Sequence, residues 1–221
     1  MKERPILFSA PMVRAILSGS KSQTRRVVKP QPTEGGLEWW ATACGGDFAA
    51  WQDPLLLLDE HSEDGGPCQR QCPYGQPGEK LWVRETWMDL LGTGIERKTG
   101  DHGRYAYAAD TPPGSYGDDQ RKAYGLKWRP SIHMPRAASR ITLEVTGVRV
   151  ERLQDISETD AVAEGARPTL APLDTVRLGA VGTAKEGFRQ IWESINGPSS
   201  WDANPFVWVV SFRRMSDARQ S

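Results

Sequence analysis

No run of about eighteen apolar residues occurs anywhere in the 221-residue sequence, which excludes a transmembrane helix and any membrane partner reached through one. The opening Met1-Lys2-Glu3-Arg4-Pro5 lacks the apolar stretch and small-residue cleavage site of a secretory signal. Cysteine is scarce and odd in number, at three, which argues against an extracellular disulfide framework. These absences together indicate a reduced, cytoplasmic protein. Net charge is also lacking: 28 Lys and Arg balance 28 Asp and Glu. Strong non-specific binding to duplex nucleic acid, which needs a concentrated basic surface, is thereby disfavoured. A local basic patch remains open, because a sum says nothing about distribution. No internal repeat is visible.

Tryptophan, by contrast, is plentiful, at nine. Such rings need a core or a partner surface to cover them, and about two thirds are assigned to packing and the rest to base stacking. Ile6-Leu7-Phe8 reads as a strand. Ser9-Ala10-Pro11 then starts a helix whose apolar face is Met12, Ile16 and Leu17, and which Gly19 ends in a left-handed turn. Further strands are expected over Thr24–Val28, Lys80–Trp87, Arg104–Ala108, Ser139–Arg152 and Phe206–Phe212, the last apolar enough for a central position. Gly147 marks a bulge or corner. Ser157 caps a helix that stops at Gly165, and Phe188, Ile191, Trp192 and Ile195 give a second amphipathic helix over Lys185–Ile195. Two turn-rich insertions, at about 33–76 and 89–127, separate these elements; the first is expected to hold one hairpin, and 111–119 to be surface loop. The whole reads as one α+β domain, 1–221, built on a mixed sheet or small barrel with short flanking helices.

Gly19-Ser20-Lys21-Ser22-Gln23-Thr24-Arg25-Arg26 gathers a potential base, a hydroxyl and a fixed cation within six residues of a glycine that lets the chain turn sharply. On its own this reads first as a helix end whose basic residues complement the helix dipole and contact solvent. The pattern Gly19-x-Lys21-x-x-Thr24-x-Arg26 resembles the signature of the ASCH family, in which a glutamate is commoner at the threonine position. That resemblance implies a PUA-like fold, a small mixed β-barrel with flanking helices, associated with RNA and modified nucleosides. The threonine form resembles the family's N4-acetylcytidine amidohydrolase branch. It implies removal of an acyl group from the exocyclic amine of N4-acylated cytidine or a related nucleoside by a lysine, a threonine and a later glutamate. By position that glutamate is Glu164, with Glu158 a solvent-side residue of the helix start. Runs such as Cys72-Pro73-Tyr74-Gly75 and Ser131-Ile132-His133-Met134-Pro135-Arg136 resemble a longer phage and prophage subgroup.

The implied chemistry is attack by Thr24 on the acyl carbonyl with Lys21 taking its proton. Bringing a lysine from about 10.4 to near 7 means disfavouring its ammonium by roughly 4–5 kcal/mol. Burial, Arg25 and Arg26 act in that direction and an ionised Glu164 against it. The alternative keeps Lys21 charged as an oxyanion clamp, with Glu164 moving protons. Substrate-binding candidates are Arg26, whose fixed donors suit a carbonyl or phosphate, Glu85, His133 and Arg136. Glu85 could instead pair with an arginine, and Arg26 with a carboxylate. Cys44, Cys68 and Cys72, with His61, are zinc candidates on the Cys-x3-Cys spacing, against a reading as plain thiols; no cofactor is otherwise implied. The partner is then a small nucleoside or single-stranded RNA and the protein a monomer. A non-catalytic RNA-binding module and a ribonuclease are the competing functions.

Overall fold

Strand β1 (Glu3–Leu7) contains Pro5, which cannot donate to a ladder and is tolerated because β1 is an edge strand. In this computed structural model the described residues are 2–29, 31, 39–41, 48–51, 68–94, 104–168 and 182–215. The chain forms two compact units, one of Met1–Gly19, Lys80–Leu143 and Arg214–Ser221, the other of Ser20–Glu79 and Glu144–Arg213.

In the first unit β1 pairs in parallel with β6 (Lys80–Arg84). Helix α1 (Ala10–Leu17) follows Ser9 and buries Val13 and Ile16. The buried stripe is thus Val13/Ile16, an i, i+3 pair, and Met12 and Leu17 are only partly covered. The strand expected to run to Trp87 breaks at Glu85 and Thr86. Beyond the break, β7 (Trp87–Asp89) pairs with β8 (Tyr105–Tyr107). A helix, α2 (Tyr116–Ala123), stands where a surface loop was expected. Apolar periodicity does not make it: Ser115 accepts from the Asp118 N–H, and Asp118 pairs with Arg121 and Lys122 at 2.7 Å each. The Pro-bounded segment forms two 3-10 turns, Ser131–His133 and Arg136–Ala138, split at Met134-Pro135. Trp87, Met134 and Ala138 form a small core with Tyr105 and Tyr107 against it.

The second unit holds β2 (Gln23–Val27), β9 (Thr142–Arg152, from Glu144 on), α3 (Glu158–Ala163), α4 (Ala184–Asn196) and β10 (Phe206–Arg214). The first insertion carries a three-stranded antiparallel sheet, β3 (Trp39–Ala41), β4 (Phe48–Trp51) and β5 (Cys68–Gln71), one strand more than a hairpin. Thr183 and Glu186 form a full capping box at the start of α4. Phe188 and Trp192 of α4 pack with Leu153, Ile156, Trp201, Val207 and Val209, while Ile195 is exposed.

The main sheet has the order β1-β6-β9-β10-β2, with β10 inside it as its apolar run requires. It is mixed, since β1·β6 is parallel and β10·β2 antiparallel. Among the described residues no pairing joins β1 to β2, so the sheet is open, not a closed barrel. The architecture is α+β, a five-stranded mixed sheet and smaller sheets with few helices.

Gly187 in α4 lies so close to the Arg167 carbonyl that a Cβ there would sit 2.1 Å from its oxygen. Gly187→Ala is therefore expected to destabilise by about 1–3 kcal/mol, the usual cost of overpacking. Gly147→Ala, whose Cβ meets only ordinary contact at 3.9 Å, should be tolerated. Denaturant unfolding of the two variants checks this, and the opposite ranking would contradict it.

Candidate functional site

Gly19 takes φ 76°, in the left-handed region, and turns the chain out of α1. Two backbone bonds then fix the approach to β2: the Ser22 N–H donates to the Ala163 carbonyl at 2.9 Å, and the Phe212 N–H to the Ser22 carbonyl at 2.8 Å. The motif is thereby fastened to the last turn of α3 and to β10. Helix α3 begins at Ser157, whose hydroxyl accepts from the Asp160 N–H at 3.1 Å, and ends at Glu164 before Gly165 at φ 84°. At a helix end the last carbonyls have no intrahelical donor. The Lys21 ammonium supplies one: its Nζ donates to the Glu164 carbonyl at 2.7 Å and to Glu164 Oε2 at 2.7 Å.

The other oxygen of Glu164 accepts from Arg25 Nη1 at 3.2 Å. Arg25 also reaches Gln23 Oε1 at 2.8 Å, Glu151 Oε1 at 2.5 Å and Asp160 Oδ2 at 3.1 Å. Arg149 closes the network on Asp160 at 2.7 Å and Glu151 at 3.0 Å. Lys21, Arg25 and Arg149 thus face Glu151, Asp160 and Glu164. Burial pulls Lys21 below the ordinary lysine range; Glu164 opposes that shift, and Arg26 and Arg25 reinforce it. Burial works to raise Asp160, but Arg149 and Arg25 outweigh it and hold its carboxyl low.

Thr24 is buried, and its place follows from pleating. Directly paired residues of an antiparallel ladder share a face. Arg25 pairs with Val209 and Val27 with Val207, both valines belonging to the core under α3 and α4. Thr24 pairs with Val210 and Arg26 with Trp208, so these lie on the opposite pleat. The expected three-residue group is accordingly divided: Lys21 and Glu164 are in direct contact, and Thr24 shares its face with Arg26. A cavity of about 630 Å³ is lined by Arg26, Val27, Lys29, Pro73, Tyr74, Asn196 and Trp208. It takes residues from both pleats at the β2 edge; Lys21, Thr24 and Glu164 are not among them. Burial raises the Tyr74 phenol, which Arg26 partly offsets, so Tyr74 stays protonated at neutral pH.

Glu85, His133 and Arg136 belong to the first unit. Glu85 is buried and gives both oxygens to Arg140, at 2.9 and 3.2 Å, while Arg140 also holds Asp110. Burial raises Glu85 and Arg140 lowers it, with the first effect larger. His133 is exposed in its 3-10 turn; Arg136 bonds Glu3 at 2.9 Å and stands 5.9 Å from the Trp82 ring. Glu158 is exposed in the first turn of α3, as expected, and its carboxylate also accepts from the Ala184 and Lys185 N–H groups at 2.8 and 3.4 Å, capping α4. Cys72 is buried and forms no disulfide among the described residues, and Cys44 and His61 lie outside them. Among the residues described, none form a metal-holding group of three His, Cys, Asp or Glu. Arg25, Glu151, Asp160 and Tyr74 were missed as partners. For Tyr74 the signal was present in the Cys72–Gly75 run; Arg25 was expected only to disfavour the Lys21 ammonium.

Removing one partner of a buried ion pair leaves an uncompensated charge, at about 3–5 kcal/mol. Glu164→Ala takes from Lys21 the carboxylate that opposes the effect of burial and should cost that much. Lys21→Met leaves Glu164 bonded to Arg25 and should cost clearly less. Equal losses in urea unfolding would contradict the arrangement.

Comparison of the chain with protein-family models, with curated proteins and with solved structures gives no match.

Proposed function

We propose that the protein is an ASCH-type amidohydrolase that removes the acyl group from the exocyclic amine of N4-acylated cytidine or a related modified nucleoside. One observation carries this reading. Lys21 and Glu164, 143 residues apart and joined beforehand only by the motif's resemblance, are buried together at 2.7 Å beside the strand that bears Thr24. A buried lysine with a depressed pKa and a bonded carboxylate is the kind of pair that activates a hydroxyl.

In this reading the Thr24 hydroxyl attacks the acyl carbonyl carbon and Lys21, as the neutral amine, takes its proton. The C–N bond then breaks, the leaving exocyclic amine receives that proton, and water hydrolyses the acyl-threonine. Glu164 accepts from the Lys21 nitrogen at its carbonyl and at Oε2, each at 2.7 Å, which fixes where that nitrogen sits. Arg26, on Thr24's pleat and two residues along the strand, stands about 7 Å from it and positions the substrate. The cavity at Arg26 is then the approach to Thr24, with Tyr74 as a wall for the base.

A second reading, a non-catalytic module for single-stranded RNA, is favoured by Trp82 of the first unit. Arg84 and Arg136 lie 5.3 and 5.9 Å from its ring, an aromatic surface with fixed cations.

Purified protein incubated with N4-acetylcytidine should yield cytidine, followed by ultraviolet absorbance. Thr24→Ala should lose at least about a hundredfold in kcat/KM, the lower end for a general acid–base or nucleophilic group. Because the base must be deprotonated, kcat/KM should climb with pH and level off below the ordinary lysine pKa of about 10.4. No turnover on a panel of N4-acylated cytidines would sink the hydrolase reading and leave the RNA-binding one.

A further inference from the structure

Arg25 stands at an open position of the motif, yet its guanidinium is completely engaged. Five N–H donors are filled by five bonds: Nε and Nη2 to Glu151 Oε1, Nη2 also to Asp160 Oδ2, and Nη1 to Gln23 Oε1 and Glu164 Oε1. The side chain is fully buried, its Cζ standing 5.8 Å from the centre of the Phe188 ring of α4. A lysine, with three donors on a point charge, could not make this set of bonds.

Lys21 can act as a base only after losing a proton, and Glu164 then keeps its own charge. A carboxylate buried without a partner charge is costly, so a lysine paired to it alone would hold its proton. Here Glu164 has a second partner. Its Oε2 meets Lys21 at 2.7 Å and its Oε1 meets Arg25 at 3.2 Å, and an arginine does not give up its proton in a protein. Glu164 therefore stays paired whichever form Lys21 takes. With Lys21 neutral, Arg25 and Arg149 face Glu151, Asp160 and Glu164, one carboxylate in excess. That excess belongs to the rim: the Glu151 and Asp160 side chains are 16% and 24% exposed, against 3% for Glu164. We infer that Arg25 is a positioning residue of the proposed hydrolase, the fixed counter-charge of Glu164 that lets Lys21 stand as a neutral amine. The inference rests on the proposed role of Lys21 as base. The charged groups acting on Lys21 are Glu164 from the end of α3 and Arg25 and Arg26 from β2; the carboxylate favours its ammonium and both arginines disfavour it. Arg25 acts directly and also through the carboxylate it shares.

The Lys21 side-chain titration, followed by NMR in the full chain, tests this in two variants with opposite expected signs. Arg25→Gln takes the fixed charge from Glu164, so Lys21 should titrate about one pH unit or more higher, the size of effect a neighbouring charge gives. The rising limb of kcat/KM on N4-acetylcytidine should move up with it, leaving the variant about tenfold slower at a pH below both midpoints. Asp160→Asn removes a carboxylate that competes with Glu164 for Arg25 and should move Lys21 lower. Loosened packing alone would let water reach Lys21 and raise it in both variants, so a fall in Asp160→Asn separates charge coupling from a structural role. Asp160 is partly exposed and asparagine keeps an oxygen for Arg25 and Arg149, so this arm decides the matter even where Arg25→Gln does not fold. A Lys21 midpoint that folded Arg25→Gln fails to raise, or that Asp160→Asn fails to lower, would overturn the inference. The titration is read without turnover. Both shifts in a protein that does not hydrolyse N4-acetylcytidine would keep the coupling and remove the hydrolase; turnover with an unmoved Lys21 would do the reverse.

Discussion

A single carboxylate, Glu164, holds the motif in place. Its two oxygens and its carbonyl take bonds from Lys21 and Arg25, which tie the turn after α1 and the start of β2 to the end of α3. Without it two cations would be buried side by side. With it, and with Glu151, Asp160 and Arg149, the cluster balances when Lys21 is protonated. Burying such a cluster contributes little net stability, since desolvation offsets most of the Coulomb gain. Its yield is an ionisable lysine in a dry place, which is a chemical property and not a structural economy.

The rest of the second unit supports that placement. The pleat of β2 sends Gln23 and Arg25 toward the helices and Thr24 and Arg26 the other way, because β10 supplies valines at 207 and 209 for the helical core and Trp208 between them. One strand thus serves two environments, an ion-paired face under α3 and a face that leads along the β2 edge to the cavity. Hydrolysis, in the account proposed, requires the two to cooperate at Thr24, with Lys21 arriving from the turn ahead of the strand.

Much of this was legible in the residues. Gly19 and Gly165 stop helices where expected, each at positive φ, and β10 is interior because its run of apolar residues could not face water. Pairing Lys21 with Glu164 came from a motif resemblance, and the contact is there at 2.7 Å. What failed did so for physical reasons. Helix α2 is made by a cap and by charge pairs of Asp118, so apolar periodicity was blind to it. The break at Glu85 follows from its burial against Arg140, a partner 55 residues away that no local pattern indicates. Arg25 was expected only to disfavour the Lys21 ammonium, and its bonds to Glu151, Asp160 and Glu164 depend on β9 and α3 arriving together. Among the described tryptophans, Trp87, Trp192, Trp201 and Trp208 are buried, in line with the packing expected of most of them, while Trp82 and Trp128 lie under arginines.

The lysine's protonation state decides between a base and a fixed cation, so it tests the account most directly. Heteronuclear NMR titration of the Lys21 side chain, assigned by comparison with Lys21→Arg, would measure it in the intact protein. The account predicts a titration clearly below the ordinary lysine range, with Glu164→Gln shifting it lower still, since the carboxylate is what opposes the effect of burial. A Lys21 that titrates at or above the ordinary lysine value would contradict it and leave the residue a permanently charged clamp.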